Sequence, residues 1–247
     1  MSFSRRLEPE WLDQWAADDP RAIRVRRDLR RVNAFMRNAR CMASALKRYS
    51  VGRQPRTIVD LGSGDGQSML QVARHLGNDW QNVRVILQDR QDIVSDATRG
   101  AFAALNWSVE TVCADVFDFL ADVRSSRVDV VTSNLFLHHF PDRQLARLFA
   151  EVAQLAWLVV ACEPRRSKFV VRASRLLWVV GCSDATVHDA VVSARAGFTD
   201  NDLCALWPSQ EHWGLRERPA AIFTHCFVAR RSEPATEGSA KSPRSEG

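Results

Sequence analysis

The chain has 247 residues, 46% of them hydrophobic and 26% charged, which is the composition of a globular protein rather than a disordered or fibrous one. This length accommodates one α/β domain with a helical attachment, is short for two independent domains, and allows a core that needs neither disulfides nor a structural metal. The formal net charge of +5 raises the question of a nucleic-acid partner, so the position of the charge matters.

The first part of the chain, about residues 8–50, is predicted to be helical and holds much of the positive charge. Asp18-Asp19-Pro20 is predicted to be a break or a helix start, since proline suits the first turn of a helix. Trp11 and Trp15 lie one turn apart, and large apolar residues recur at roughly helical spacing from Ile23 to Met36. Basic residues at such spacings are typical of a solvated helix face, and a phosphate-bearing or acidic partner is the alternative. They are Arg21, Arg24, Arg26, Arg27, Arg30, Arg31, Arg37, Arg40, Lys47 and Arg48.

Residues 57 to 162 alternate between short apolar strands and amphipathic helices. The predicted strands are 57–61, 83–87, 108–113, 128–133 and 157–162, and the predicted helices are 68–76, 93–105 and 144–155. Continuous Val, Ile and Leu strands separated by helices are typical of a parallel sheet covered on both faces. We therefore expect an α/β fold with a doubly wound, mostly parallel sheet.

After Pro164 the pattern changes. It predicts a helix over 169–180, a short helix over 200–206 and a last strand over 220–229 that pairs with residues around 213–217. The polar residues from Ser232 onward cannot bury enough apolar surface to order themselves. We expect an N-terminal helical lid (1–52), a main domain (53–231) with a lid insertion at about 165–213, and a disordered tail (232–247).

Two features of the sequence, its cysteines and its apolar segments, indicate the cellular compartment. The six cysteines are far apart and form no C-x-x-C pair, which fits neither a zinc site nor a disulfide framework but does fit buried thiols in a reducing cytoplasm. No apolar segment follows Arg5 and Arg6, so a secretory signal is not expected, and the apolar stretch around Leu176 to Val180 is too short to span a bilayer. We expect a cytoplasmic, soluble protein without a membrane partner.

The strongest local motif is the glycine-rich turn Val59 to Gly66, which lies between a predicted strand and a predicted helix. Alternate glycines allow the backbone to adopt positive φ and to approach a ligand closely. The helix that follows adds unpaired N–H groups at the turn. In this context the motif indicates a ligand-binding site.

The spacing of this turn resembles the D/E-x-G-x-G-x-G motif of class I S-adenosylmethionine-dependent methyltransferases more than the dinucleotide motif G-x-G-x-x-G. Later segments extend the resemblance in the expected order: Gln88-Asp89 after the second strand, Cys113 to Val116 after the third, and Ser133 to Phe140 after the fourth. It covers roughly residues 55 to 165. It implies a Rossmann-like, seven-stranded fold and S-adenosylmethionine as cofactor, with S-adenosylhomocysteine as product.

The resemblance also assigns roles. Asp60 suits the methionine amine, Asp89 the ribose hydroxyls and Asp115 the adenine amino group, with Val116 packing on the ring. The implied cofactor-binding residues are Asp60, Gly62, Ser63, Gly64, Gly66, Asp89, Arg90, Asp115, Val116 and Asn134.

The acceptor is harder to infer. The segment from Asn134 lacks the N/D-P-P-Y/F sequence of many methyltransferases that act on amino groups, which disfavours that class. The segments 163–166 and 188–193 are similar to those of bacterial natural-product methyltransferases acting on phenolic or pyrone hydroxyls, so we expect a small aromatic, pyrone or polyketide-like acceptor. Aromatic side chains supply flat apolar surface for it, or only join the lid to the core. The candidate substrate residues are Trp11, Trp15, His138, Arg165 and Trp178.

A base would accelerate transfer to a phenol, and histidine titrates in the right range. The candidates are His139 and His188, the latter beside Asp189, with His138 behind them; a structural role for each is the alternative. No carboxylate–histidine cluster with ligand spacing predicts a metal. Methylation of RNA or protein, carbon as the methylated atom, and an inactive binding protein remain alternatives, although nucleic acid is not the expected partner. The oligomeric state stays open.

Overall fold

A seven-stranded sheet forms the centre of the computed structural model, which describes residues 3–125, 128–208 and 210–232. The strand order is β3-β2-β1-β4-β5-β7-β6. The first five strands are parallel, and β7 runs antiparallel to both β5 and β6. The strands are β1 (Thr57–Leu61), β2 (Val83–Asp89), β3 (Trp107–Cys113), β4 (Val130–Asn134), β5 (Leu158–Pro164), β6 (Trp213–Pro219) and β7 (Thr224–Arg231). The predicted mostly parallel sheet and the final hairpin are confirmed, and the predicted tail lies outside the described residues from 233 onward.

Helices cover both faces of the sheet, as the buried apolar strands require. One apolar core lies under α2, α3 and α4, and the other under α5 and α6. The helices are α1 (Pro20–Met36), α2 (Asn38–Tyr49), α3 (Gln67–Leu76), α4 (Asp96–Ala103), α5 (Val116–Asp122), α6 (Asp142–Leu155), α7 (Lys168–Ser174) and α8 (Asp184–Ala196). None of these described helices is both long and apolar enough to cross a membrane.

The strand order reverses direction between β1 and β4, because β2 and β3 lie on one side of β1 while β4 and β5 lie on the other. In open parallel sheets the loops at such a reversal separate, and they leave a crevice at the carboxyl ends of the strands. The glycine-rich turn follows β1 at this point. The topology therefore places the predicted motif at the mouth of the crevice.

The region 8–50 is α-helical only from Pro20 onward, where the sequence predicts a break or a helix start. Residues 3–19, which we call the N-terminal segment, have no regular secondary structure except for a short 3₁₀ turn at Leu12–Gln14, and α1 begins at Pro20. Side chains distant in sequence hold this segment: the buried Asp189 carboxylate accepts the Trp11 and Leu12 N–H groups at 2.8 and 3.1 Å. Arg5 donates to the carbonyls of Ala196 and Phe140 at 2.7 and 2.8 Å. Tertiary hydrogen bonds have thus replaced local helix formation.

The insertion after β5 also differs from its prediction. The expected helix 169–180 is α7 followed by a separate 3₁₀ turn at Leu177–Val180, and the expected helix 200–206 is only a 3₁₀ turn at Cys204–Leu206. Gly181, with φ of 82°, ends the first stretch, and the Ser183 hydroxyl caps α8 by accepting the Thr186 N–H. Two helices, α5 and α8, were not predicted.

Gly62 shows how closely the glycine turn is packed. A Cβ at this position would lie 2.2 Å from the Phe136 ring, and φ is +65°. We expect Gly62→Ala to lower the free energy of unfolding by about 2–5 kcal/mol, the sum of left-handed strain and overpacking. Gly181→Ala is the matched control, because φ and ψ there are +82° and 16°, in the left-handed region, and nothing lies within 4 Å of the added carbon. Its cost should stay near 1–2 kcal/mol in urea unfolding; equal losses for the two variants would contradict the packing argument.

Candidate functional site

A cavity of about 680 Å³ opens at the carboxyl ends of β1, β2 and β4. Its walls come from the glycine turn, the loops after β2 and β4, the N-terminal segment, and helices α1, α2 and α3. The size suits a small-molecule or cofactor site. The lining residues are Leu12, Asp13, Arg26, Leu29, Arg30, Asn33, Arg37, Asn38, Ala39, Arg40, Asp60, Gly62, Ser63, Gly64, Asp65, Gln67, Ser68, Gln71, His75, Asp89, Arg90, Gln91, Ile93, Asn134 and Leu135.

The glycine turn presents bare backbone to this cavity. Gly64 has φ of +55°, and a Cβ added there would meet nothing within 4 Å, so the space beside it is open to a ligand. The Asp89 carboxylate holds the turn from β2: Oδ2 accepts the Gly64 N–H at 2.9 Å, and Oδ1 accepts the Gln91 N–H at 2.9 Å. Asp89 therefore both faces the cavity and fixes the backbone around it.

Asp60 is a buried carboxylate at the end of β1 and part of the cavity wall. Its Oδ1 accepts the Thr132 hydroxyl at 2.7 Å, and no ion pair links it to a cationic side chain among the described residues. Burial raises the pKa of Asp60 to about 7; the Thr132 hydrogen bond offsets part of the rise, and the nearby Asp89 charge adds to it. A ligand ammonium group would supply the missing positive charge.

Two buried polar atoms in the wall have no hydrogen-bond partner among the described residues. Ser63 Oγ and Asn33 Oδ1 are both buried without a hydrogen bond, and both residues line the cavity. Such atoms cost free energy until a ligand or water satisfies them. Together with the open backbone at Gly64 and the carboxylates of Asp60 and Asp89, they fit the hydroxyl, amine and carboxylate groups of S-adenosylmethionine.

The loop after β4 closes another side. Asn134 accepts the Asn38 side-chain amide at 3.0 Å, which joins this loop to α2. Leu135 has φ of +55°, a conformation that costs a non-glycine residue about 1–2 kcal/mol. Its N–H donates to the Cys162 carbonyl at 2.9 Å. Strain of this kind persists only where surrounding contacts impose it, and it is found at binding sites.

Helices α1 and α2, which lie in the predicted N-terminal lid, contribute a large share of the wall through side chains that sequence reasoning did not single out. Three arginines of the predicted basic face, Arg26, Arg30 and Arg37, line the cavity, and Arg30 and Arg37 are also exposed to solvent. With Asn33 they follow the spacing i, i+4, i+7, i+11, which puts them on one helix face. A polar residue within an arginine stripe was the available signal.

Seven of the ten predicted cofactor residues line the cavity: Asp60, Gly62, Ser63, Gly64, Asp89, Arg90 and Asn134. The other three lie outside its wall. Gly66 packs against Leu87, Asp115 caps α5 by accepting the Phe117 N–H at 2.9 Å, and Val116 is buried in the core.

None of the predicted substrate residues is part of this wall. Trp11 stacks on His188 with ring centroids 4.1 Å apart, and Trp15 lies under the Arg21 guanidinium. Trp178 is 62% exposed on the 3₁₀ turn after α7, and the Arg165 backbone pairs with Phe198. Trp11 and Trp15 nevertheless flank Leu12 and Asp13, which do line the cavity.

His138 lies in a buried charged cluster with two carboxylates. Its Nδ1 is 2.8 Å from Glu163 Oε2 and its Nε2 is 3.2 Å from Glu10 Oε1. Burial alone would lower the pKa of His138, but the hydrogen bonds and charges of Glu10 and Glu163 raise it to about 9. Burial would likewise raise the pKa of Glu10, and His138, with help from His139 and Ser193, lowers it to about 2. His138 is therefore a cation at neutral pH that joins the N-terminal segment to β5.

The two predicted base residues each face an aspartate. His139 Nδ1 lies 3.3 Å from Asp13 Oδ2, and Asp13 is part of the cavity wall. His188 Nδ1 lies 3.0 Å from Asp189 Oδ1, although the residues are adjacent in sequence. Asp189 also holds the N-terminal segment, so His188 belongs to that anchor. His139 is the histidine whose partner reaches the cavity.

The fold also brings together three possible metal ligands that their spacing did not indicate. Glu10, His138 and His139 each offer a ligand atom, all within 4.8 Å of one another. Both His138 nitrogens already face carboxylates, which accounts for the cluster as an ion-pair network.

Residues 58–156, from β1 to the end of α6, match a family model described as a methyltransferase domain. No curated protein sequence matches the chain.

Solved structures share the fold. One is the plantazolicin methyltransferase BpumL in complex with a monoazolic desmethylPZN analogue and S-adenosylhomocysteine, with TM-score 0.65 and 13% identity over 89% of this chain and 93% of that one. Another is the plantazolicin methyltransferase BamL, solved in complex with a triazolic desmethylPZN analogue and S-adenosylhomocysteine. Its TM-score is 0.63 and its sequence identity 14%, over 89% of this chain and 94% of that one. An O-methyltransferase family protein from Burkholderia thailandensis has a TM-score of 0.56 and 20% sequence identity, over 87% of this chain and 61% of that one. At these identities the likeness confirms the predicted Rossmann-like methyltransferase fold.

The charged cluster of Glu10, His138 and Glu163 stabilises the fold within a defined pH range. The His138 contribution is full below 6.5 and is lost as the pH rises through about 9, while the Glu10 contribution is full above 4.5 and is lost as the pH falls through about 2. Glu10→Gln should therefore destabilise the protein by about 1–3 kcal/mol at pH 6, and the difference from wild type should shrink above pH 9. Urea unfolding at several pH values measures it.

Glu8→Gln is the matched control, since Glu8 lies on the same segment in exposed ion pairs with Arg6 and Arg195. Its effect should stay within about 0.5 kcal/mol. An effect of Glu10→Gln that grows above pH 9 would contradict the assigned charges.

Proposed function

We propose that this chain transfers the methyl group of S-adenosylmethionine to a hydroxyl of a small aromatic, pyrone or polyketide-like acceptor; the match of residues 58–156 to a methyltransferase domain supports the proposal. The observation that carries the proposal is the cavity at the carboxyl ends of β1, β2 and β4, where a buried carboxylate without a cationic partner lies beside open glycine backbone. The residues around it match the chemistry of an amino-acid sulfonium bound to a nucleoside. The cavity is also concave and of ligand size.

Residues of this chain account for each polar part of the cofactor. Asp60 would hold the ammonium group, and Asp89 the ribose hydroxyls. Ser63 and the backbone at Gly64 would approach the methionine part, with arginines of the α1–α2 wall supplying charge for its carboxylate. Asp115 and Val116, at the start of α5, keep their proposed place at the adenine end beyond the cavity wall, while Gly66 supports the turn through packing.

When bound, S-adenosylmethionine supplies an electrophilic methyl group on a sulfonium. The chain positions the acceptor and excludes water. Holding the acceptor oxygen in line with the methyl group can supply up to about 7–11 kcal/mol of the barrier reduction. Leu12, Leu29, Ile93 and Leu135 give the wall apolar surface that fits a flat acceptor. Trp11 and Trp15 extend that surface along the N-terminal segment, whereas Arg165 and Trp178 gain no support as acceptor contacts.

His139 is the base that the geometry supports better. Asp13 orients its Nδ1 at 3.3 Å and itself lines the cavity. The acceptor hydroxyl would pass its proton to the His139 ring as the oxygen attacks. His138 is already protonated at neutral pH between Glu10 and Glu163, so it positions the loop rather than accepting a proton. His188 would act through the N-terminal segment that Asp189 anchors.

The proposed organisation assigns the lid to residues 1–52 and about 165–213. The described parts of both meet at Asp189, which fixes the N-terminal segment to α8. Opening of this contact would give an acceptor access to the cavity.

Calorimetric titration of S-adenosylhomocysteine tests the cofactor. We expect saturable binding to wild type, and at least tenfold weaker binding to Asp89→Ala, which loses the ribose contact and frees the Gly64 N–H. Asp92→Ala is the matched control, because Asp92 is an exposed carboxylate on the same loop, and its affinity should not change. Absence of wild-type binding at millimolar ligand would contradict the proposal, as would equal weakening in both variants.

Asp60 gives a second test through its pKa. Because that pKa is raised to about 7, its contribution to stability is full at low pH and is lost as the pH rises through 7. Asp60→Asn should keep the Thr132 hydrogen bond and avoid this loss, so its melting temperature relative to wild type should rise between pH 4 and pH 8 while S-adenosylhomocysteine affinity falls. Asp118→Asn, on the surface of α5, should show neither effect. A pH-independent difference for Asp60→Asn would contradict the assignment.

A further inference from the structure

A second cavity, of about 420 Å³, lies between α2 and the hairpin of β6 and β7. We call it the arginine groove, because five arginines line it and no acidic residue does. Arg37, Arg40 and Arg48 come from the start and one face of α2, while Arg216 and Arg218 alternate along β6. The remaining lining residues are Cys41, Ser44, Ala45, Tyr49, Ala220, Ala221, Cys226 and Val228.

These five arginines differ from the ten others in the described residues that form ion pairs with carboxylates. Examples are Arg5 with Asp142, Arg30 with Asp65 and Arg166 with Asp202. Within the described residues, no ion pair or hydrogen bond to a carboxylate involves any of the five arginines of the groove. Five like charges therefore face one concavity without an internal counterion.

The charge pattern points to a specific ligand chemistry. Guanidinium groups bind carboxylates and phosphates through paired N–H donors, and such bonds are stronger than neutral ones. The floor between the arginines is small and partly apolar, formed by Ala45, Cys226 and Val228. A groove of this kind fits one anionic group carried on a short organic chain.

The arginine groove adjoins the cofactor cavity. Arg37 and Arg40 belong to the walls of both. We infer that the arginine groove binds a carboxylate or phosphate group of the acceptor while its hydroxyl lies in the larger cavity. This inference rests on the proposed function. It adds that the acceptor is an anion, whereas the proposed function alone does not require the acceptor to carry a charge.

A nucleic-acid strand fits these observations less well. Proteins that bind single strands combine positive charge with several aromatic side chains on which bases stack. Tyr49 is the one aromatic residue in the wall of the arginine groove. A small acidic acceptor needs the charge without the stacking platform.

Arg216→Gln with Arg218→Gln is the decisive variant. Both side chains are exposed on the edge strand and lie outside the cofactor cavity, so we expect the fold and the S-adenosylhomocysteine affinity to be unchanged. Calorimetric titration with pyrophosphate, in the presence of saturating S-adenosylhomocysteine, should show saturable binding to wild type and at least tenfold weaker binding to the double variant. Arg172→Gln with Arg175→Gln removes the same charge from exposed positions on and after α7 and should leave pyrophosphate affinity unchanged.

Matched acceptors give the second readout. Phenols with and without a carboxylate-bearing side chain should differ in KM for wild type, and the double variant should raise KM for the acidic member alone, with kcat unchanged. A carboxylate and a phosphate ester on the same phenol distinguish the two anions. If S-adenosylhomocysteine does not bind, the proposed function fails, and pyrophosphate binding still tests the groove.

Three outcomes would overturn the inference. They are no saturable pyrophosphate binding to wild type, an equal loss in the control variant, and binding of a single-stranded RNA oligonucleotide that exceeds pyrophosphate affinity a hundredfold and depends on Arg216 and Arg218.

Discussion

One buried carboxylate, that of Glu163 at the end of β5, shapes much of the site. It accepts the N–H groups of Phe136 and Leu137 at 3.1 and 2.9 Å and binds His138 Nδ1 at 2.8 Å, which fixes the loop after β4. The fixed loop sets the Phe136 ring against Gly62 and thereby shapes the glycine turn. Through His138 the same carboxylate reaches Glu10 and the N-terminal segment. The cofactor side and the lid side of the cavity thus depend on one group.

The basic stretch near the start of the chain serves two surfaces rather than one. Arg26 and Arg30 turn toward the cofactor cavity, where Arg30 pairs with Asp65 and Arg26 with the Gln91 side chain. Arg48 turns to the arginine groove, while Arg37 and Arg40 border both. This division follows from the break between α1 and α2 at Arg37, whose φ of +58° redirects the helix axis. A positive net charge in the sequence is therefore a sum over different sites.

The sequence predicted the parts of the fold that local pattern determines. Continuous apolar runs placed the parallel strands, because only a sheet covered on both faces buries such runs, and glycines at alternate positions placed the turn after β1. The α1 side chains in the cavity wall were not predicted, because Arg26, Arg30 and Asn33 have the pattern of a solvated face. Only the packing of α1 against the rest of the fold places them at the cavity. The pairing of His138 with Glu10 was not predicted either, since the two residues are 128 positions apart and no local spacing encodes that contact. The break between α7 and the 3₁₀ turn at Leu177–Val180 had no such signal, because Gly181 lies beyond the apolar run that suggested a single helix.

The anchoring of the N-terminal segment has a consequence for the order of folding. Its partners lie late in the chain: Glu10 receives the Ser193 hydroxyl across 183 positions, and Asp189 holds Trp11 across 178. Contacts of such high sequence separation carry a large loop-closure entropy and form after local ones. The segment therefore docks only once β5 and α8 are in place, and the cavity gains its last wall at the end of folding. A chain emerging from the ribosome would hold the complete glycine turn long before it holds a closed site.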